Sequence, residues 1–305
     1  MKNIGIRFLG MSLLIMISGV FVLANPSVAA KEKISVEELL TKHKQSIGSP
    51  AALAAHKSMM AVGTSKALFK GRGTGQTTGI VVLASQGNQN MIGMKFNNTD
   101  YQFETMGFDG KNLTVGYAKA GTRSLLGSFI RVNEKTFKNG IMGGTLSTAW
   151  ELLNYSKKRG KLKYSGEKKI DDVKLYKFSY NPKKGSDMDV AFFFDKTTFR
   201  HVRTEYKRVI SASLGRATGN PSQGIATSRV DNSARQSETR YKMVEKFSEF
   251  KPEGGLTLPH TYKLYLEVLT GNGTTAYDWT MELQQFAFNQ PYDVSQFRVG
   301  AISGR

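Results

Sequence analysis

Gly254-Gly255-Leu256-Thr257-Leu258-Pro259-His260, followed by Tyr262–Leu269, Tyr277–Phe288 and the ending Asn289-Gln290-Pro291-Tyr292-Asp293…Phe297, decides the fold. Paired glycines make a turn because glycine takes left-handed backbone at no steric cost. The two runs that follow carry apolar side chains at every second position, the period of a half-buried strand. Proline is tolerated at the first residue of a strand, so the first of these strands is predicted to open at Leu258-Pro259. With Phe247-Ser248-Glu249-Phe250 before them, these segments close a large antiparallel sheet.

The same alternation extends outward. It runs through Met59–Phe69, Thr78–Ala84, Met91–Phe96, Tyr101–Phe108 and Leu113–Tyr117. It resumes from Lys161 and continues in Tyr176–Tyr180, Met188–Phe194, Val202–Ile210 and Tyr241–Phe247. Turn residues separate the runs, among them Asp109-Gly110, a pair suited to a type I′ hairpin, and Asp171-Asp172. Short connections make sequential strands antiparallel neighbours, giving a strongly curved meander of about eleven strands.

Two segments break the period. Ser35-Val36-Glu37-Glu38 is a capping box, and Val36, Leu39, Leu40 and Ile47 then recur at helical spacing. Pro50 at a first turn starts a short second helix over 51–56. Residues 122–155 are predicted to be mostly helical, with Leu125, Leu126, Phe129 and Ile130 on one side and Phe137, Ile141, Met142 and Trp150 further on. A helical excursion between two groups of strands has to lie over the sheet as a lid. The fold class is therefore mainly β with helices (α+β): an antiparallel half-barrel covered by an N-terminal helix and a helical lid, one domain over 31–305. Residues 214–238 are rich in Gly, Ser, Thr, Arg, Asn and Gln and lack aromatics, as expected of a mobile loop.

The N-terminus belongs to targeting. Lys2 and Arg7 precede an uncharged apolar run, Phe8 to Ala24, and Pro26-Ser27-Val28-Ala29-Ala30 offers small residues for cleavage. This is the pattern of a cleavable signal peptide over 1–30, and the run falls short of the roughly 20 residues that span a bilayer. The expected destination is the periplasm. No cysteine occurs in the 305 residues, so there is neither a disulfide nor a cysteine to carry a lipid anchor. The formal charge is +19, or +17 once Lys2 and Arg7 are set aside. Such a balance suits anionic lipid headgroups, and export argues against nucleic acid. The basic stretch Lys157 to Lys161 with Lys163 fits headgroup contact, and equally a charged strand edge that blocks edge-to-edge pairing.

No catalytic or metal-binding constellation stands out. The four histidines, His43, His56, His201 and His260, are scattered, and a metal needs several ligands converging. Gly71-Arg72-Gly73-Thr74-Gly75 lacks the Lys-Ser/Thr of a phosphate loop and reads as a hairpin turn. What remains is apolar. The candidate cavity lining is Ile92, Met94, Phe96, Tyr101, Phe103, Val190, Phe192, Phe194, Tyr262, Leu264 and Leu266, under a lid of Leu125, Leu126, Phe129, Ile130, Met142 and Trp150. A half-barrel under a lid is one way to enclose acyl chains, and methionine adapts to irregular ligands.

The order of elements, with Phe194-Asp195-Lys196-Thr197-Thr198-Phe199, Gly143-Gly144-Thr145-Leu146-Ser147-Thr148-Ala149-Trp150, Gly255 to His260 and Asn289 to Asp293, resembles the LolA-like periplasmic outer-membrane lipoprotein-sorting family. That family includes LolA, LolB and the N-terminal domain of RseB. The resemblance spans residues 34–299 and implies a non-catalytic carrier without cofactor, a transport chaperone sequestering lipoprotein or lipid acyl chains. Its partners would be inner- and outer-membrane transport components. The alternative it implies is an RseB-like envelope sensor or protein-interaction module. The family's latching Arg on an early strand is missing: Met91-Ile92-Gly93-Met94-Lys95-Phe96 carries Lys95 instead.

Overall fold

A computed structural model describes residues 33–71, 73–155, 160–182, 187–210 and 238–300. The expected signal peptide, and the expected mobile loop apart from Glu238, lie outside them.

The chain opens with α1 (Val36–Ile47), where the Ser35 hydroxyl accepts the Glu38 N–H at 3.0 Å as a cap. The Glu38 side chain turns instead to Lys42, one turn on, at 2.6 Å. Pro50 begins α2 (Pro50–Ala55). Then come β1 (Ser58–Lys70), β2 (Thr74–Gln86), β3 (Gln89–Phe96), β4 (Phe103–Phe108) and β5 (Leu113–Val115). After the lid follow β6 (Gly160–Ile170), β7 (Val173–Pro182), β8 (Met188–Asp195), β9 (His201–Ile210), β10 (Thr239–Glu253), β11 (Leu256–Thr270) and β12 (Gly273–Phe288).

All twelve strands form one sheet in the order β5-β4-β3-β2-β1-β12-β11-β10-β9-β8-β7-β6. Neighbours are antiparallel throughout, and β5 and β6 remain as edges, so the sheet is a half-barrel and not a closed one. Among the described strands, the only non-sequential neighbours are β1 and β12, which splice the two meanders at the centre. Lys161 and Lys163 on the edge strand β6 are exposed, as a charged, pairing-averse edge requires.

Three expectations change. First, the strand after Gly254-Gly255 opens at Leu256 and not at Pro259. Pro259 sits inside β11 opposite Phe250, but pairing of β11 with β12 begins only at Thr261. The missing N–H therefore falls where β11 has a neighbour on one side only. Second, Asp109-Gly110 does not make a two-residue I′ turn. Phe108 pairs with Leu113 across a four-residue loop. In that loop one carboxylate oxygen of Asp109 accepts the N–H groups of Lys111 and Asn112 at 2.8 and 2.6 Å. Asp171-Asp172 does make the tight hairpin, with φ of 49° and 64°.

Third, the lid is far less helical than predicted. It holds α3 (Leu125–Val132), α4 (Glu134–Lys138) and one short 3-10 turn, Gly144–Leu146. Gly140, Gly143 and Gly144 all take positive φ and keep the rest in turns.

The C-terminal segment does not prolong the sheet. Asn289 leaves β12 with φ 56° and accepts the Lys57 N–H on its side chain at 2.8 Å. The chain then crosses β4 and buries Phe297. A Cβ on Gly107 would stand 2.2 Å from the Phe297 carbonyl oxygen, so only glycine lets the two backbones meet there.

Candidate functional site

One face of the sheet carries nearly all the apolar bulk. On β3, Ile92, Met94 and Phe96 alternate inward; on β8, Val190, Phe192 and Phe194; on β11, Tyr262, Leu264 and Leu266. All are buried in a single cluster, as the alternation predicts. Tyr101 joins them from the turn before β4. Phe103 does not. β4 turns Glu104, Met106 and Phe108 inward, so Phe103 is half-buried on the opposite face, outside the cluster. The expected pairing of Tyr101 with Phe103 assumed one unbroken strand; β4 starts two residues later.

The lid meets this face with its own apolar side. Leu126, Phe129 and Ile130 of α3, then Phe137, Ile141, Met142, Leu146, Trp150 and Leu152, lie in the same cluster, with Leu125 packed against its rim. Leu39 of α1 belongs to it too. The concavity is therefore filled by protein. Between Leu83, Ile92, Phe137, Met142 and Leu146 a void of about 10 Å3 remains, at the lower limit for one water.

Polar groups pin the lid. Glu245 points inward from β10 between Met243 and Phe247. Its carboxylate accepts the lid's Gly143 N–H at 2.8 Å, the Tyr262 hydroxyl at 2.6 Å and the Tyr206 hydroxyl. Glu104 on β4 accepts the Tyr101 hydroxyl at 2.6 Å and the hydroxyl of Ser124, the cap of α3, at 2.7 Å. The Trp279 indole in turn donates to the Tyr101 oxygen at 2.9 Å. Burial pushes the Glu104 carboxyl up to about 7 and raises Glu245 as well, against the hydrogen bonds that favour their ionised forms. Ser85, Asn90 and Arg208 add direct contacts: Thr148 N–H to Ser85 Oγ at 2.9 Å, Asn90 Nδ2 to the Phe137 carbonyl at 3.3 Å, and Arg208 Nη1 to Asn133 Oδ1 at 2.6 Å. Lys95 is exposed on β3 and takes no such role. An arginine does reach the lid, but from β9.

At the far end the lid locks onto α1. The Trp150 indole N–H donates to His43 Nε2 at 3.0 Å, so that nitrogen is an acceptor and the imidazole is neutral. Nδ1 then carries the proton and donates to the Phe199 carbonyl at 3.0 Å. Burial drives the His43 pKa down to about 4, consistent with a ring that cannot gain a proton without losing Trp150. His201, on β9, stacks on Trp150 at 4.8 Å and its ring lies 6.4 Å from that of His43. The fold thus unites two histidines that are far apart in sequence. No metal-holding group of His, Asp and Glu occurs among the described residues.

Sequence reasoning missed Glu104, Glu245 and Arg208. The signal for the glutamates was present: a carboxylate at an inward position of an alternating strand, flanked two residues away by Met or Phe. Both carboxylates are engaged by hydrogen bonds, from the lid at Ser124 and Gly143 and from the sheet side at Tyr101, Tyr206 and Tyr262.

Solved structures show the likeness expected from the sequence. A LolA superfamily protein from Nitrosomonas europaea is 11% identical, with a TM-score of 0.47, over 87% of this chain and 98% of that one. A domain described as an outer membrane lipoprotein-sorting protein, from Vibrio parahaemolyticus, is 11% identical with a TM-score of 0.40, over 86% and 97%. A DUF1329 family protein from Desulfovibrio piger is 9% identical with a TM-score of 0.38, over 86% and 97%. No family model and no curated protein matches the chain. Overlaps at this level bring no ligand or residue role to this chain.

Gly140 tests how tightly the lid backbone is held. Its φ is 63°, and a Cβ there would lie 1.8 Å from the Ala149 carbonyl oxygen. Gly140→Ala is expected to cost at least about 1–2 kcal/mol from the left-handed backbone alone. The loss should appear in urea unfolding and as faster amide exchange across residues 125–153.

Proposed function

We propose that the chain is a non-catalytic binding protein or carrier for acyl chains, of a lipoprotein or another lipid, and that the lid gates the site. The supporting observation is the composition of the contact between lid and sheet. Both surfaces are mainly apolar, and the polar contacts that join them, at Ser85, Asn90, Glu104, Arg208 and Glu245, fall on separate strands. Lifting the lid would bare Met94, Phe96, Met106, Phe129 and Ile130 together. An acyl chain can replace the lid side chains on the sheet, each buried methylene contributing about 0.8 kcal/mol. The +19 charge and the signal-like N-terminus favour a role in the envelope, next to anionic membrane surfaces.

Amide exchange of the delipidated protein, with and without an anthroyloxy-labelled stearate, tests this. Uptake of the probe should deprotect residues 125–153 while the central strands β1 and β12 stay protected. Arg208→Ala, which removes one lid contact, should take up the probe faster. Failure to bind the probe, or binding with unchanged lid exchange, overturns the lid-gated carrier.

A further inference from the structure

A cleft of about 730 Å3 opens where α1 and α2 meet the lid segment 145–154. Its apolar wall is made by Ile47, Leu53, Met59, Leu153 and Leu256. Of these, Ile47, Met59 and Leu256 belong to a small buried cluster separate from the main core, and Leu153 touches both clusters. The volume lies in the range of small-molecule sites. Lys44 and Lys57 line the cleft, with His56 between α2 and β1, and no Asp or Glu lines it. Neither lysine forms an ion pair among the described residues.

We infer that this cleft binds a single acyl chain bearing an anionic head group, the chain against Leu53, Met59 and Leu153 and the head at Lys44 and Lys57. The inference rests on the acyl-carrier reading and adds a second, peripheral acyl site beside the one under the lid, open while the lid is closed. Carboxylate and phosphate heads share the chemistry that two unpaired lysines recognise. Quaternary ammonium heads do not.

The test uses the full mature chain, delipidated. Dodecanoate and a lysophosphatidylglycerol with a 12-carbon chain are compared with dodecyltrimethylammonium by titration calorimetry. A diazirine-tagged dodecanoate maps the site. Both anionic amphiphiles should bind more tightly than the cation, and affinity should rise about fourfold per added methylene. The double variant Lys44→Gln/Lys57→Gln should weaken anion binding about tenfold without moving Tm, and Leu53→Asp should abolish it. Cross-links should fall within 44–59 and 145–154. The tighter of the two anionic ligands identifies the head group as carboxylate or phosphate. Equal binding of cation and anion, or cross-links confined to β3, β8 and β11, overturns the cleft; the latter leaves the carrier standing. No binding of any amphiphile overturns both.

Discussion

Trp150→Ala is expected to lower the unfolding free energy by about 3–5 kcal/mol, the range for truncating a large aromatic in a packed core. Trp150 is fully buried. Its ring meets Phe192 edge-on at 5.3 Å and stacks on His201 at 4.8 Å, and its N–H is the partner of His43 Nε2 at 3.0 Å. One side chain thus ties the lid to β8, β9 and α1. Trp150→Phe separates the contributions. It keeps much of the ring contact but leaves a buried imidazole nitrogen without its donor, a loss of about 1–3 kcal/mol. Urea unfolding followed by circular dichroism measures the first, and amide exchange of residues 125–153 locates it. If the lid opens apart from the sheet, the damage appears in lid exchange before it appears in the global transition. A Trp150→Ala protein within about 1 kcal/mol of the parent, with unchanged lid exchange, would show that the lid contributes nothing to the fold.

The second large effect is a pair of opposing pH dependences. Glu104 has its folded pKa raised from 4.5 to about 7. Its contribution is fully present below pH 4.5 and is lost as pH rises through 7, because the folded state then carries a buried carboxylate. His43 has its folded pKa lowered from 6.5 to about 4. Its contribution is fully present above pH 6.5 and is lost as pH falls towards 4, because the unfolded chain binds the proton the folded chain refuses. Each shift corresponds to an effect of order 3 kcal/mol at most. Between about pH 4.5 and 6.5 the two slopes oppose one another, and the parent protein should be nearly flat there. Glu104→Gln removes one of the two buried carboxyls with raised pKa, leaving Glu245, while burial lowers His201 as it lowers His43. Its stability should therefore rise more steeply with pH across that interval than the parent's, by up to about 3 kcal/mol. Urea midpoints at pH 4.5, 5.5 and 6.5 check this. A Glu104→Gln profile parallel to the parent's would rule out proton uptake at Glu104.

Alternation along the strands made the sheet legible, because a period of two leaves one face for the core whatever the partner strand is. Ile92, Met94 and Phe96 could be assigned to that face from their spacing alone. Phe103 could not, since a turn before the strand reverses every assignment after it and no residue type marks where the turn ends. The lid was legible as a break in period but not as turns. Gly140 and Gly143 were visible, yet whether a glycine interrupts a helix depends on what packs against it. Of that face, the buried apolar positions could be read and the polar fastenings could not.

The sequence by itself determined the antiparallel half-barrel, the covering segment between its two halves and the absence of thiol chemistry, because local period and composition suffice for these. Tertiary structure alone decided that β1 pairs with β12, that Glu245, Tyr206 and Tyr262 meet Gly143, and that Trp150 finds His43 more than a hundred residues away. The reason is physical. Strand formation depends on neighbours two residues apart, whereas a buried carboxylate or imidazole is tolerated only where distant donors and acceptors converge, and that convergence is a property of the curved sheet and its lid together.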